Sequence, residues 1–418
     1  MRLWVLTVVM CVGMGWQCVA QITLSEYCAA VEEYNHHLLS AEAAAEGAEA
    51  DMRRAHREYL PEVAFDGSAS YDFHASDVGR PWGWTARIDV AQPVYHGGRV
   101  RAEAQQAELA LGIAQSDLEA VHIEVVYLAE HAYWTLSRAE AYYRAMVDYL
   151  RIVGSLRDVV ARRYEEGYSP KSDLLQLDSR LSDARYQLSS AQQSRLVALH
   201  NFNNMRGVEP TMEVELASSI LDSMAMPRRL AVAEILDHRP DYRSACLSVE
   251  SSRWAIRVAQ SEFLPRVDVG LYGALQPETP HLRGGALRLD GGVFVSFNSP
   301  IFHFGERREA ARSARSAYAR TELACAELAD EIALEESNSW TNLLSTRERV
   351  EATRRNLTIA EENLEISTYS YHEGLVTILD VLQAQLSWLQ IYTNAINAQY
   401  DHAVACSAYR YVTSTAVY

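Results

Sequence analysis

Proline and glycine are scarce in this chain of 418 residues, with 11 and 20 copies, and aromatic residues make up only 9%. So few breakers argue against a loop-rich fold and favour long helices. Cysteine is rarer still, six in all, and no C-x-x-C spacing occurs, which excludes a zinc ribbon or a thioredoxin-like centre. Positive charge is in deficit: 38 Lys and Arg against 55 Asp and Glu give a net charge of −17. That balance speaks against nucleic acid as a partner. There is no P-loop, no G-x-G-x-x-G after a strand, no H-E-x-x-H and no nucleophile elbow. The sequence therefore names no catalytic residue and calls for no cofactor. His36-His37 is the nearest metal hint, but adjacent helical residues point apart, so no metal site is assigned.

Long apolar runs are also missing, apart from one at the start. Arg2 followed by the stretch Leu3 to Gly15, then Cys18-Val19-Ala20, reads as a signal peptide cleaved after Ala20. Acylation of Cys18 is the lipoprotein alternative, with Gln17 an unfavourable neighbour for it. Beyond residue 20 no segment reaches the length of a transmembrane helix, so any membrane segment would have to be a barrel wall. Cys28, Cys246, Cys325 and Cys406 are widely spaced and read as isolated thiols buried in helices.

What the chain does contain is a repeat. Gln92-Pro93-Val94-Tyr95-His96-Gly97-Gly98 recurs 207 residues on as Ser299-Pro300-Ile301-Phe302-His303-Phe304-Gly305. Tyr164-Glu165-Glu166-Gly167 and Asp173-Leu174-Leu175-Gln176 recur at the same shift as Tyr371-His372-Glu373-Gly374 and Asp380-Val381-Leu382-Gln383. Leu60-Pro61 meets Leu264-Pro265 at a shift of 204. An ordered set of matches marks two structural units.

Each unit changes period along its length. Val63, Phe65, Gly67, Ala69, Tyr71 and Phe73 alternate with Glu62, Ala64, Asp66, Ser68, Ser70 and Asp72. The stretches around Ile88, Leu271 and Val293 alternate likewise, giving four strands in two hairpins, each long enough to cross a bilayer at a tilt. From Arg99 onward small and apolar residues fall three or four apart, as in Ala104, Ala107, Leu111, Ala114 and Leu118, which predicts a coiled-coil-like helix roughly 100 Å long. His96 and His303 occupy equivalent strand-to-helix junctions, where a structural role is expected. Tyr71, Phe73, Trp82 and Trp84 either form part of an interfacial girdle or pack a loop tip.

The reading divides the chain into a signal peptide (1–20), a first repeat (21–206), an equatorial insert (207–229) and a second repeat (230–418). Strands are expected at about 61–75, 84–93, 264–275 and 286–300, long helices at 99–165 and 306–373, and return helices at 173–206 and 380–413. Helices of 34 residues, Glu26 to Tyr59 and Leu230 to Phe263, lead into the strands. Two shorter helices end to end match one long one, as a tube of uniform length requires. The fold class is mainly α with a β-barrel part. Four strands cannot close a barrel, so several copies must complete one.

At this point the chain resembles the TolC-like outer-membrane efflux protein family. His238-Arg239-Pro240-Asp241-Tyr242-Arg243, Phe263-Leu264-Pro265 and Gly374 six residues before Asp380-Val381-Leu382 are similar to motifs of that family, in order and over nearly the whole chain. The resemblance implies a homotrimer with a twelve-stranded barrel in outer-membrane lipid and a helical tunnel through the periplasm. It implies docking to a periplasmic adaptor (membrane fusion protein) and an inner-membrane pump. It places a gate at the helical tips, which turn at Gly167 and Gly374 and carry Glu166, Asp173, Glu373 and Asp380. Asp380 would form an acidic ring and Tyr371 would help hold the entrance shut; Asp380 also suits a capping box begun by Thr377. The sequence departs from the family at Gln383 and Val376, where a second acid and a basic residue are usual, so a single-ring, weakly latched gate is expected. The competing reading is a non-conducting, membrane-anchored coiled coil spanning the periplasm.

Overall fold

A computed structural model describes residues 21–71, 73, 82–222, 224–277, 287–302 and 304–415. The expected signal peptide with Cys18, most of the two hairpin loops and His303 lie outside the described residues. In chain order the elements are β1 (Gln21–Ile22), α1 (Leu24–Tyr34), α2 (His36–Arg57), β2 (Glu62–Tyr71), β3 (Trp82–His96), α3 (Arg99–Glu165) and α4 (Lys171–Met205). There follow β4 (Glu215–Leu216), α5 (Val232–His238), α6 (Pro240–Ser261), β5 (Arg266–Pro277), β6 (Leu287–Asn298), α7 (Glu306–His372) and α8 (Ile378–Thr413).

The two long helices, α3 and α7, each run 67 residues without a proline. Each starts after a left-handed glycine, Gly98 at φ 83° and Gly305 at φ 89°. The helices leading into the strands are not continuous, contrary to the 34-residue spans expected. Asn35 ends α1 and starts α2: its backbone is extended, and its side chain accepts from the amides of His37 and Leu38 at 2.9 and 3.2 Å. Arg239, 204 residues on, breaks the second repeat at the same place, because the residue before Pro240 is pushed out of the helical region.

Arg239 and Pro240 are the buried residues of the His-Arg-Pro-Asp motif, and Arg239 carries its bonds. The Arg239 guanidinium donates to Asp241 at 2.9 and 2.6 Å, to Glu335 of α7 at 2.6 Å and to the Val412 carbonyl of α8 at 3.3 Å. Burial by itself would raise the Asp241 carboxyl; the Arg239 bonds and charge outweigh that and hold it below the ordinary range. The motif thus pins the base of α6 to both helices of the second hairpin.

Around this level the described ends of the chain and the insert meet. β1 pairs in parallel with β4, Gln21 opposite Glu215 and Ile22 opposite Leu216. Tyr27 stacks on Phe202 with ring centroids 3.9 Å apart, and the hydroxyl of Tyr133 accepts from the Ser218 amide. Two ion pairs, each with one nearly buried carboxylate, lace this level: Arg229 of the insert to Glu336 of α7 at 2.9 Å, and Arg410 of α8 to Glu130 of α3 at 2.6 Å. The main core runs through this equator.

The long helices act as rails. On the strand side of the equator α6 lies between α3 and α7, with α2 on the far flank of α3; on the other side α4 packs on α3 and α8 packs on α7 and α3. No described helix is long and apolar enough to cross a membrane.

The strands form one antiparallel sheet in the order β2-β3-β5-β6. Register decides its faces. Val63, Val90, Leu271 and Val293 form one cross-strand row, and Tyr95, Val267 and Phe297 another, all on the apolar face. Val63, Phe65, Leu289, Val293, Val295 and Phe297 are each about 70% exposed, so this face lacks a protein partner within the chain. The opposite face is polar and internally bonded: Arg87 donates to Asp89 and lies over the Tyr272 ring at 4.9 Å, while Arg288 and Gln276 both donate to Asp290 at 2.8 Å. β2 and β6 have free edges.

Tyr71 and Trp84 continue the apolar face at one end, with Phe73 edge-on to Tyr71 at 5.0 Å. The opposite end carries a second aromatic group, exposed Tyr59, Tyr95, Phe302 and Phe304. An apolar band between two aromatic rims is the lipid-facing pattern of a membrane barrel.

Candidate functional site

The far ends of the helical rails converge on one site. Both long helices stop in the same way. At the first tip the Tyr168 amide donates to the Arg163 carbonyl at 2.7 Å and the Gly167 amide to that of Tyr164 at 3.0 Å. At the second, Leu375 donates to Ser370 at 2.9 Å and Gly374 to Tyr371 at 3.0 Å. This double closure needs a left-handed residue, supplied by Gly167 at φ 81° and Gly374 at φ 76°.

The returning helices begin differently. Pro170 precedes α4 and offers no side-chain cap. Thr377 precedes α8, and the carboxylate of Asp380 accepts from the Thr377 amide at 2.8 Å and hydroxyl at 2.7 Å. The hydroxyl and amide bonds from Thr377 hold the Asp380 carboxyl below its ordinary value.

A small core binds the four helix ends together. Leu156 and Val160 of α3, Leu177 of α4, Tyr371 of α7 and Ile378, Val381 and Leu382 of α8 are all buried in it. Arg163 crosses from the first tip to the second. Its guanidinium donates to the carbonyls of Tyr371 at 3.2 Å and His372 at 2.6 Å, and its centre lies 5.1 Å from the Tyr371 ring centroid. The His372 carbonyl belongs to the last helical turn, where no intrahelical donor remains, so the arginine satisfies an orphan acceptor and complements the helix dipole. Nearby, Arg157 bonds Asp178 at 2.9 Å and ties α3 to α4.

The predicted site residues therefore separate into two groups. Tyr371 is inside the tip core, beneath Arg163. Asp380, Glu166 and Glu373 are exposed on its rim, and Asp173 is half-buried with its carboxylate accepting from the Ser172 hydroxyl at 3.3 Å. Among the described residues no hydrogen bond or ion pair joins these four acids to one another. Gln383 lies with Gln176, Arg180 and Leu386 along an open groove of about 340 Å³ between α4 and α8. Sequence reasoning missed Arg163. The signal for it was a basic residue in a helix's last turn, at a position where the second repeat has Ser370.

Comparison with known proteins fits this geometry. The family model described as outer membrane efflux protein matches residues 29–208 and 231–408, one match per repeat. Protein CyaE of Bordetella pertussis is 24% identical over 355 residues, which cover 82% of this chain and 73% of CyaE. The outer membrane protein VceC of Vibrio cholerae has the same fold, with a TM-score of 0.79 at 20% identity over 93% of this chain and 95% of VceC. The open-state channel MtrE of Neisseria gonorrhoeae gives 0.78 at 18% identity over 93% and 88% of the two chains. With a family match over both repeats and a sheet whose apolar face and free edges need lipid and further copies, the chain belongs to the outer membrane efflux protein family, trimeric channels that work with efflux pumps, and is an outer-membrane channel reaching into the periplasm.

Proposed function

We propose that three copies form a passive exit duct, the outer-membrane part of a tripartite efflux or type I secretion assembly. A periplasmic adaptor and an inner-membrane pump dock to it and supply the energy, and the chain itself performs no chemical reaction. The observation that carries this reading is the two-faced sheet: Phe65, Leu289 and Val295 stand on the lipid side, while Asp66, Arg87, Asp89 and Asp290 stand on the other. A mere anchor has no use for a charged inner face; a conduit does.

The tip is the gate in this reading. Arg163 over Tyr371 latches the two helical hairpins of one protomer, and threefold symmetry brings three copies of Asp380 to the entrance. Like charges so gathered would capture cations. Purified trimer in planar bilayers tests both parts. Conductance is expected, with divalent cation block that Asp380→Asn weakens about tenfold and open dwell times that Arg163→Ala lengthens (order-of-magnitude expectations for losing one charged contact). A trimer that never conducts favours the structural strut. Cation block unchanged in Asp380→Asn removes the acidic ring.

A further inference from the structure

Two cysteines of the second repeat face each other across a helix pair. Cys246 is one turn and a half into α6, and Cys325 is about a third of the way along α7. Their Sγ atoms are 3.6 Å apart, Cys246 exposed and Cys325 half-buried. Of the four thiols expected to be buried, Cys28 and Cys406 are, and Cys246 and Cys325 are not. A disulfide requires sulfurs about 2.05 Å apart, so the two side chains must turn toward each other to close the remaining gap. Both cysteines lie on the strand side of the equator, in the helical part that a channel of this family holds in the periplasm. That compartment keeps disulfides oxidised.

We propose that Cys246 and Cys325 form a disulfide that staples α6 to α7 within each protomer. The inference rests on the periplasmic location and on the Sγ geometry, and is independent of the gate. The reaction is thiol–disulfide exchange with a disulfide donor, either a protein dithiol oxidase or a small-molecule disulfide. The Cys246 thiolate attacks one donor sulfur, forming a mixed disulfide and releasing the first donor thiolate. Cys325, as thiolate, then attacks the Cys246 sulfur and releases the second. Two protons and two electrons leave the cysteine pair, and the donor is reduced to two thiols. Cys246 is the first to react because it is exposed, whereas burial beside Cys246 pushes the Cys325 thiol up.

The staple has a defined structural effect. It closes a loop containing most of α6, the β5–β6 hairpin and the start of α7. It locks the axial register of α6 against α7, leaving the tip core and Arg163 latch beyond the equator free to move. The first repeat has no such bond, since the positions matching Cys246 and Cys325 are Glu42 and Leu118.

Thiol trapping on outer membranes tests the proposal. Cells are quenched with acid, unfolded, and alkylated with a maleimide before and after reduction, and the peptides are mapped by mass spectrometry. The expected result is that the Cys246 and Cys325 peptides label only after reduction and are otherwise found linked, lighter by two hydrogens than the sum of the free peptides. Cys246→Ser should free Cys325 for labelling without reduction, and Cys325→Ser should free Cys246. Full labelling of both thiols without reduction, in cells and again after purified trimer is incubated with oxidised glutathione, overturns the proposal. So does linkage of either cysteine to a second chain.

Discussion

The two long helices have the same length and equivalent positions, yet they are buried to very different extents. Buried residues run along α3 from Ala102 to Val160. In α7 the first buried residue is Ile332, more than a third of the way down, and Leu323, Leu334, Ile359 and Ile366 are 56–71% exposed. α3 is flanked on both sides, by α2 and α4 and by α6 and α8, whereas α7 has α6 and α8 on one flank only. The open flank of α7 is where the repeat would place a second copy of α2, and β6 has its free edge on the same side. A protomer of this family is one third of a wall, and the difference between the rails shows where the next third attaches.

The largest expected effect comes from charging that flank. Leu323 is equivalent to Ser116, which is buried in α3 and accepts from Arg243 of α6 at 2.9 Å. Leu323→Arg should leave a folded protomer and reduce heat-stable trimer on gels roughly a hundredfold, the result of burying one unpaired charge per interface. Ser116→Arg should instead prevent the protomer from folding, seen as loss of the protein from outer membranes. Equal behaviour of the two variants would break the comparison.

A second contrast lies at the strand-to-helix junctions. Gly97 at φ 63° and Phe304 at φ 48° occupy matching left-handed positions. A Cβ at Gly97 would lie 2.6 Å from that of Leu264, while Phe304 is 92% exposed. Gly97→Phe should cost about 3 kcal/mol or more in thermal stability from overpacking, whereas Phe304→Gly should change it by about 1 kcal/mol at most. Similar melting shifts for the pair would show that Phe304 is as tightly enclosed in the trimer as Gly97 is in the protomer.

The helix breaks provide the third test. Arg239→Ala removes a cation that is 10% exposed and leaves Asp241 and Glu335 without it, so about 3 kcal/mol is expected in denaturant midpoints. Asn35→Ala removes only a cap, worth about 1 kcal/mol.

The smallest effect separates the tips. The Asp380 carboxyl is depressed below 3.8 by Thr377, so its stabilising contribution is complete above that pH and is lost as pH falls through the lower folded value. Thr377→Val should move the Asp380 carboxylate titration, followed by infrared difference spectra, up toward 3.8. A trimer in which Asp380 titrates above 3.8 would show that repulsion between three copies outweighs the cap.

Much of this architecture was legible in the residues. The period-two stretches and the three-and-four spacing are local properties of backbone geometry, and they placed α3, α7 and all four strands to within a few residues. The glycines at 167 and 374 were readable because only a left-handed residue closes that turn. The breaks at Asn35 and Arg239 were less visible, since a capping asparagine or a residue before proline interrupts a helix without disturbing its apolar spacing.

Local pattern carries no information on how two segments two hundred residues apart are set against each other. That Arg163 covers Tyr371, that Cys246 meets Cys325, and that Tyr59, Tyr95, Phe302 and Phe304 share one end of the sheet depend on axial register between helices and strand pairing across the repeats. Chain composition and period defined the parts and their duplication. Only the packed fold decided which side chains face one another and which flank waits for the next copy, because those contacts are chosen by burial over the whole assembly and not by any one segment.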